Sequence, residues 1–184
     1  MLPVTRPDDA SPGIALPAPG WHEGPQACTD ALRQTLLALA PRPDAKRPTL
    51  AGVSLVRLIA PDFSDWPLDE APVLAALTAW LRQGGRRLQW FGLDFERSAR
   101  ALPRLTRWRR DWQHMTEAFQ PAAGHPVTAL CGLLAPPFWL RRVASAQWRM
   151  RVDSNVQLCR AVETEFADYL QHCEPAWPST TLGL

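Results

Sequence analysis

The sequence predicts an α/β fold, a mixed and mostly parallel sheet with helices on both faces, and three observations carry that expectation. Two short apolar runs flank a helical stripe in the order strand, helix, strand, an arrangement that gives a parallel pair through a right-handed crossover. Both runs are almost continuously hydrophobic, as are strands covered on both faces. A series of short strand-like segments follows and closes on an amphipathic helix, which places further strands in the same sheet.

The elements follow in chain order. Positions 1–25 hold Pro3, Pro7, Pro12, Pro17, Pro19 and Pro25 among apolar residues of no fixed period, and they predict a disordered arm. Over 27–40, Leu32, Leu36 and Leu39 recur at helical spacing, with Thr29 or Asp30 to cap the start. Pro41, Pro43 and Pro48 break that helix, so the organisation is an arm over 1–25, a helix and linker over 26–50, and an α/β domain over 51–184. The run VSLVRLIA over 53–60 predicts a buried strand ending at Pro61. Val73, Leu74, Leu77, Trp80 and Leu81 make one stripe of a helix over 71–82, opened by Asp69 and closed by Gly84 and Gly85. LQWFGL over 88–93 is the second strand.

Pro103 fits only the first turn of a helix, here one over 102–112 with Leu105, Trp108 and Trp112 inward. A third strand is expected over 115–120, and two more over 127–134 and 138–143, separated by Pro136 and Pro137. In the segment 146–152, Trp148, Met150 and Val152 alternate with Gln147, Arg149 and Arg151, the period of a strand buried on one face. Ser154 and Gln157 form a capping-box pattern ahead of Leu158, Val162, Phe166, Tyr169 and Leu170, and Glu174 and Pro175 end that helix.

Composition narrows the function. Among 184 residues the formal net charge is +2, too small a field to make nucleic acid or a membrane surface the first partner to consider. Lys46 is the only lysine, and the richness in Arg, Ala, Pro and Leu matches GC-rich bacterial coding. Cys28, Cys131, Cys159 and Cys173 are widely spaced without a C-x-x-C pair, so they read as small buried hydrophobes in a reducing cytoplasm. No apolar run is long enough to span a bilayer, and the first 20 residues lack the order of a signal peptide. No G-x-S-x-G, Walker or G-x-G-x-x-G pattern occurs, and no cofactor is expected.

The chain resembles one half of a phospholipase D-like domain, and in particular a degenerate bacterial group in which such a half follows a short helix. The resemblance covers about 27–184 and rests on LIAPDFSDW after the first strand, RLTRW in the helix over 102–112, and ETEFADYLQHCEPAWPSTTLGL at the end. It implies the superfamily motif H-x-K-x(4)-D, in which the His is the nucleophile and the Lys holds phosphate oxygens. His125 is the sole candidate; Val127 and Gly132 stand at the Lys and Asp positions, which implies a pseudoenzyme.

Two polar groups are expected at the carboxyl ends of the first two strands, where open α/β sheets bind ligands. Asp62, Asp65 and Asp94 are of a type that holds Mg²⁺ for phosphoester hydrolysis, and equally of a type that caps helices and fills turns. Arg97, Arg100 and Arg104 approach a helix start and could bind a phosphate-bearing ligand. Arg107, Arg109 and Arg110 extend that charge beside Trp108 and Trp112, as in a single-strand nucleic-acid groove or in the solvated face of an ordinary amphipathic helix. The abundant tryptophans are also compatible with a homo-oligomer interface. Three functions therefore stand open: a non-catalytic binding or assembly domain, a metal-dependent phosphoesterase, and an RNA- or nucleotide-phosphate-binding module.

Overall fold

A computed structural model describes residues 15–42, 49–125, 130–143 and 147–178. The chain enters through β1 (Gly20–Glu23) and α1 (Pro25–Leu37), then forms β2 (Leu55–Ile59), a 3-10 turn (Pro67–Asp69), α2 (Ala71–Leu81) and β3 (Arg87–Phe91). Two short helices, α3 (Phe95–Ala101) and α4 (Pro103–Asp111), lead to β4 (Thr116–Pro121). Three strands follow, β5 (Gly132–Ala135), β6 (Phe138–Arg142) and β7 (Arg149–Asp153), before α5 (Val156–Leu170) and β8 (Cys173–Pro175). Among the described residues all eight strands join one sheet in the order β1-β7-β6-β5-β2-β3-β4-β8.

The predicted crossover pair is present: β2 and β3 run parallel in the register Leu55↔Arg87 to Ile59↔Phe91. β3 and β4 are also parallel, but the other five pairings are antiparallel, so the sheet is mixed and mostly antiparallel rather than mostly parallel. The cause is local. β5 and β6 are joined through Pro136 and Pro137 with Ala135 facing Phe138, and β7 folds back on β6, so each short connection reverses direction.

Side-chain alternation along the central strands sends residues to two cores. Val56, Leu58, Leu88 and Trp90 point to one face, where Leu32 and Leu36 of α1, Leu77 and Trp80 of α2, and Leu105 of α4 cover them. Ile59 and Phe91 point to the other, against Phe166 and Tyr169 of α5, and Leu134 and Trp139 meet Cys159 there. Helices thus cover both faces. α1 is part of the main core, since Cys28, Leu36 and Leu39 are fully buried within it. In β7, Met150 and Val152 are buried while Arg149 and Arg151 are exposed, in agreement with the period-two reading.

The ends of the elements depart from expectation in instructive ways. Gly20–Glu23, placed in the disordered arm, pairs with β7, and Arg149 lies 4.4 Å from the Trp21 ring centroid. The segment is too short for a period to be read, so only its pairing partner defines it. Residues 1–14 and 43–48 lie outside the described residues. Glu174 and Pro175, expected only to stop α5, belong to β8, which pairs with β4. The cap of α5 is Asn155, whose Oδ1 accepts from the N–H groups of Gln157 and Leu158, not Ser154. Gly84 and Gly85 do terminate α2, both with left-handed φ.

Asp69 does not cap α2. Its Oδ1 accepts the Leu105 N–H at 2.8 Å, which satisfies one of the free donors in the first turn of α4. Glu70 occupies the α2 cap position but makes no capping bond, because Arg33 of α1 holds both its oxygens at 2.8 Å. Capping of α4 from a distant segment stabilises its orientation as well as its helicity. Replacing Asp69 with Ala is expected to lower the unfolding free energy by about 1 kcal/mol, and Asp69→Asn by less, in urea titrations monitored by far-UV circular dichroism.

Candidate functional site

The carboxyl ends of β2 and β3 are tied together: the Pro61 carbonyl accepts from the N–H groups of Leu93 and Asp94 at 2.9 and 3.0 Å. Asp62 and Asp94 consequently emerge on one rim, as the parallel pair requires. Each carboxylate at this rim is engaged locally. Asp62 accepts from the backbone N–H and hydroxyl of Ser64 and lies 3.8 Å from Arg97 Nε. Asp65 pairs with Arg142 at 2.9 Å. Asp94 accepts the Arg97 N–H at 2.8 Å and caps α3. Asp62 and Asp65 share a pocket of about 270 Å³ with Ser64, Arg97, Cys131 and Arg142, whereas Asp94 lines a different cleft. Among the described residues no three His, Cys, Asp or Glu side chains are grouped to hold a metal ion.

Arg142 is the pivot of the smaller pocket. Its side chain is 7 % exposed, donates to Asp65 and to the Gln147 carbonyl, and stacks 4.3 Å from the Trp148 ring centroid. Burial pushes the Cys131 thiol beside it up to about 11, with Arg142 opposing and Asp65 and Asp62 adding to the rise. The pocket therefore holds a protonated thiol and a neutralised ion pair rather than a nucleophile.

His125 lies in the turn after β4, its ring stacked on His172 at 4.7 Å and 13°. The Ala122 N–H donates to the His172 carbonyl, which holds the turn against the end of α5. Position 127 falls outside the described residues. At Gly132, on β5, a Cβ atom would stand 1.9 Å from the Leu140 carbonyl oxygen, so the position His125 assigns to the superfamily Asp has no room for a side chain.

Arg97, Arg100 and Arg104 do not converge. Arg97 leans toward Asp62, Arg100 pairs with Glu96 at 4.0 Å on the surface of α3, and Arg104 is exposed in the first turn of α4. The Leu105 N–H that could have joined an anion there is taken by Asp69.

The residue missed by sequence reasoning is Arg109. Expected on a solvated face with Arg107 and Arg110, it is instead 6 % exposed. The Ala176 N–H donates to the Ala118 carbonyl, which carries the segment after β8 alongside β4 and brings Trp177 over α4. The Arg109 guanidinium lies 4.3 Å from the Trp177 ring centroid, and Trp177 stacks in turn on Phe95 at 5.0 Å. Trp177 adopts left-handed backbone, φ 48°, a conformation that non-glycine residues keep only where the surroundings impose it. Arg109 makes no hydrogen bond or ion pair with any described residue, its Nε is buried without an acceptor, and burial alone pushes its pKa down to about 10. Arg86 also has an unpaired Nε, but its terminal nitrogens donate to the carbonyls of Gly52 and Ala51. Arg109 lines a cleft of about 590 Å³ with Asp94, Glu96, Thr106, Gln120 and Trp177.

Two outcomes test this description of the smaller pocket. Asp65→Ala leaves Arg142 without its carboxylate and is expected to cost about 2 kcal/mol, below the range for fully buried pairs because Asp65 is part exposed, with Mg²⁺ making no difference in thermal melts. In the unfolded chain the Cys131 thiol ionises near its ordinary 9.0, and in the folded chain near 11. Its contribution to stability is therefore complete below pH 9 and lost as pH rises toward 11, and Cys131→Ala is expected to flatten that part of the stability profile.

No family model matches the chain, and no curated protein matches it in sequence. Solved structures do. A phosphatidylserine synthase from Haemophilus influenzae Rd KW20, of the phospholipase D superfamily, superposes with a TM-score of 0.54 at 13% identity, over 91% of this chain and 41% of that one. TrmBL2, an archaeal chromatin protein with a novel mode of DNA binding, superposes with a TM-score of 0.52 at 12% identity, over 87% of this chain and 55% of that one. The chain thus spans about half the length of each. Identities this low show a shared fold and nothing of activity, and one of these two neighbours is a phospholipase D superfamily member.

Proposed function

We propose that the chain is a non-catalytic phospholipase D-like half-domain whose role is binding or assembly. The observation that carries this reading is the state of the only candidate nucleophile. His125 is stacked on His172, Val127 stands where a phosphate-holding lysine is required, and Gly132 cannot accept a carboxylate without displacing β6. The carboxylates at the rim support it, each committed to a turn, a cap or an ion pair. Coverage of 41% of the synthase chain is in keeping with a single half, in a superfamily whose active members combine two motifs.

A second reading is favoured by one specific feature. Arg104, Arg107 and Arg110 are exposed on α4 without an ion-pair partner among the described residues, a cationic strip of the kind that tracks a nucleic-acid backbone. Asp94, Glu96 and Asp111 dilute that charge, which places this reading behind the first.

The test is an assay with bis(p-nitrophenyl) phosphate, with and without Mg²⁺ or Mn²⁺. The expected result is no turnover above buffer, unchanged by His125→Ala. Turnover that disappears in that variant overturns the proposal, and metal-dependent turnover that disappears in Asp62→Ala replaces it with the phosphoesterase. Salt-dependent binding of single-stranded RNA that weakens in Arg107→Ala establishes the nucleic-acid reading.

A further inference from the structure

We infer that the cleft between α3, α4, β4 and the segment after β8 binds a small organic molecule through a singly charged oxyanion seated on Arg109. The inference rests on the binding role proposed above and supplies its location and ligand class.

The argument begins with the energetics of a buried cation. Removing a guanidinium from water costs several kcal/mol even after relaxation, and proteins offset this with a carboxylate or with several acceptors. Three other partly or fully buried arginines follow that rule: Arg33 binds Glu70 and Asp30, Arg57 lies 3.7 Å from Glu163, and Arg142 binds Asp65. Among the described residues Arg109 has only the face of Trp177, and a cation–π contact contributes about 0.5–2 kcal/mol. That contact leaves the buried Nε without an acceptor. An oxyanion entering the cleft would supply an acceptor to the guanidinium through charge-assisted hydrogen bonds.

The rest of the lining selects the ligand. Asp94 and Glu96 bring negative charge to the same cleft as Arg109 and Arg110, so a dianion gains less than a monoanion. Leu93, which is 43% exposed, and Phe95, Ala99 and Pro178 give an apolar wall for an organic body. Thr106 donates its hydroxyl hydrogen to the Leu102 carbonyl, which leaves its oxygen lone pairs to accept from a ligand donor. A cleft of about 590 Å³ has the size of small-molecule sites generally. Carboxylates and phosphodiesters share the required head group.

The experiment is thermal denaturation and isothermal titration of the full chain at pH 8 and constant ionic strength. The probes are benzoate, dimethyl phosphate, inorganic phosphate, and benzamide as a neutral isostere of benzoate. Benzoate, dimethyl phosphate or both are expected to raise the melting temperature saturably, and which of them does so identifies the head group. Phosphate is expected to bind less tightly, and benzamide not at all. Arg109→Met is expected to bind at least tenfold more weakly while melting no lower than the parent without ligand, because it removes an unpaired buried charge. Arg104→Met, on the exposed side of the same helix, keeps full binding. Should Arg109→Met fail to fold, Arg109→Lys carries the test, since loss of the planar fork is expected to weaken binding by a similar factor. Absence of a saturable shift with either monoanion, tighter binding of phosphate than of both, or undiminished binding by the Arg109 variants overturns the inference. None of these results alters the phosphodiester assay, so failure of the site and failure of the non-catalytic reading remain separate.

Discussion

The parallel register of β2 and β3 is the constraint from which the rest of the molecule follows. Trp90 and Leu58 face each other across that pair and are fully buried, so the two strands cannot slip without sending the largest core side chains to the opposite face. Because the register ends at Ile59 and Phe91, both chains leave the sheet at one rim, where the Pro61 carbonyl fastens the second exit to the first. Phe63 and Phe95, one after each strand, then stack at 6.2 Å and seal the top of the core. The turn carrying Asp62 and Asp65 and the start of α3 are positioned by this seal.

From that rim the structure builds outward through polar contacts between distant segments. Ser98 of α3 accepts the Phe63 N–H, Asp69 caps α4, and Trp108 donates to Thr78 of α2. Each bond ties the α3–α4 pair to the turn after β2 or to α2. With α4 held this way, the side chain of Arg109 meets the segment after β8, where Trp177 lies over it. The strained backbone at Trp177 is what an anchored chain accepts when β8 pairs with β4 on one side and its ring fills the gap beside Phe95 on the other.

Charge pairing distinguishes the two hollows near this rim. The pocket around Arg142 is internally neutral: Arg142 and Arg97 offset Asp65 and Asp62, and the Cys131 thiol is protonated. Such a set stabilises a fold and has little left to offer a ligand. The cleft around Arg109 holds a buried cation that no described residue neutralises, while its carboxylates lie at the exposed edge or serve as a cap.

Much of this was legible in the residues alone. Continuous apolar runs fixed the two central strands because a parallel interior strand has no solvated face to mark, and the alternation around Met150 and Val152 identified β7 for the opposite reason. The stripe of Val73, Leu77 and Trp80 defined α2, and Val127 and Gly132 already broke the pattern H-x-K-x(4)-D after His125. What tertiary structure decided was every feature that depends on a partner far along the chain. Strand direction in the second half, the pairing of β1 and β8 at the sheet edges, the helix that Asp69 caps and the ring that covers Arg109 have no local periodic signature. Periodicity reports which side of an element is apolar; it carries no information on which segment will cover that side. Arg109, unlike Arg107 and Arg110, stands four residues after Leu105 and three before Trp112, on the apolar stripe of α4, but only the fold shows that Trp177 covers it.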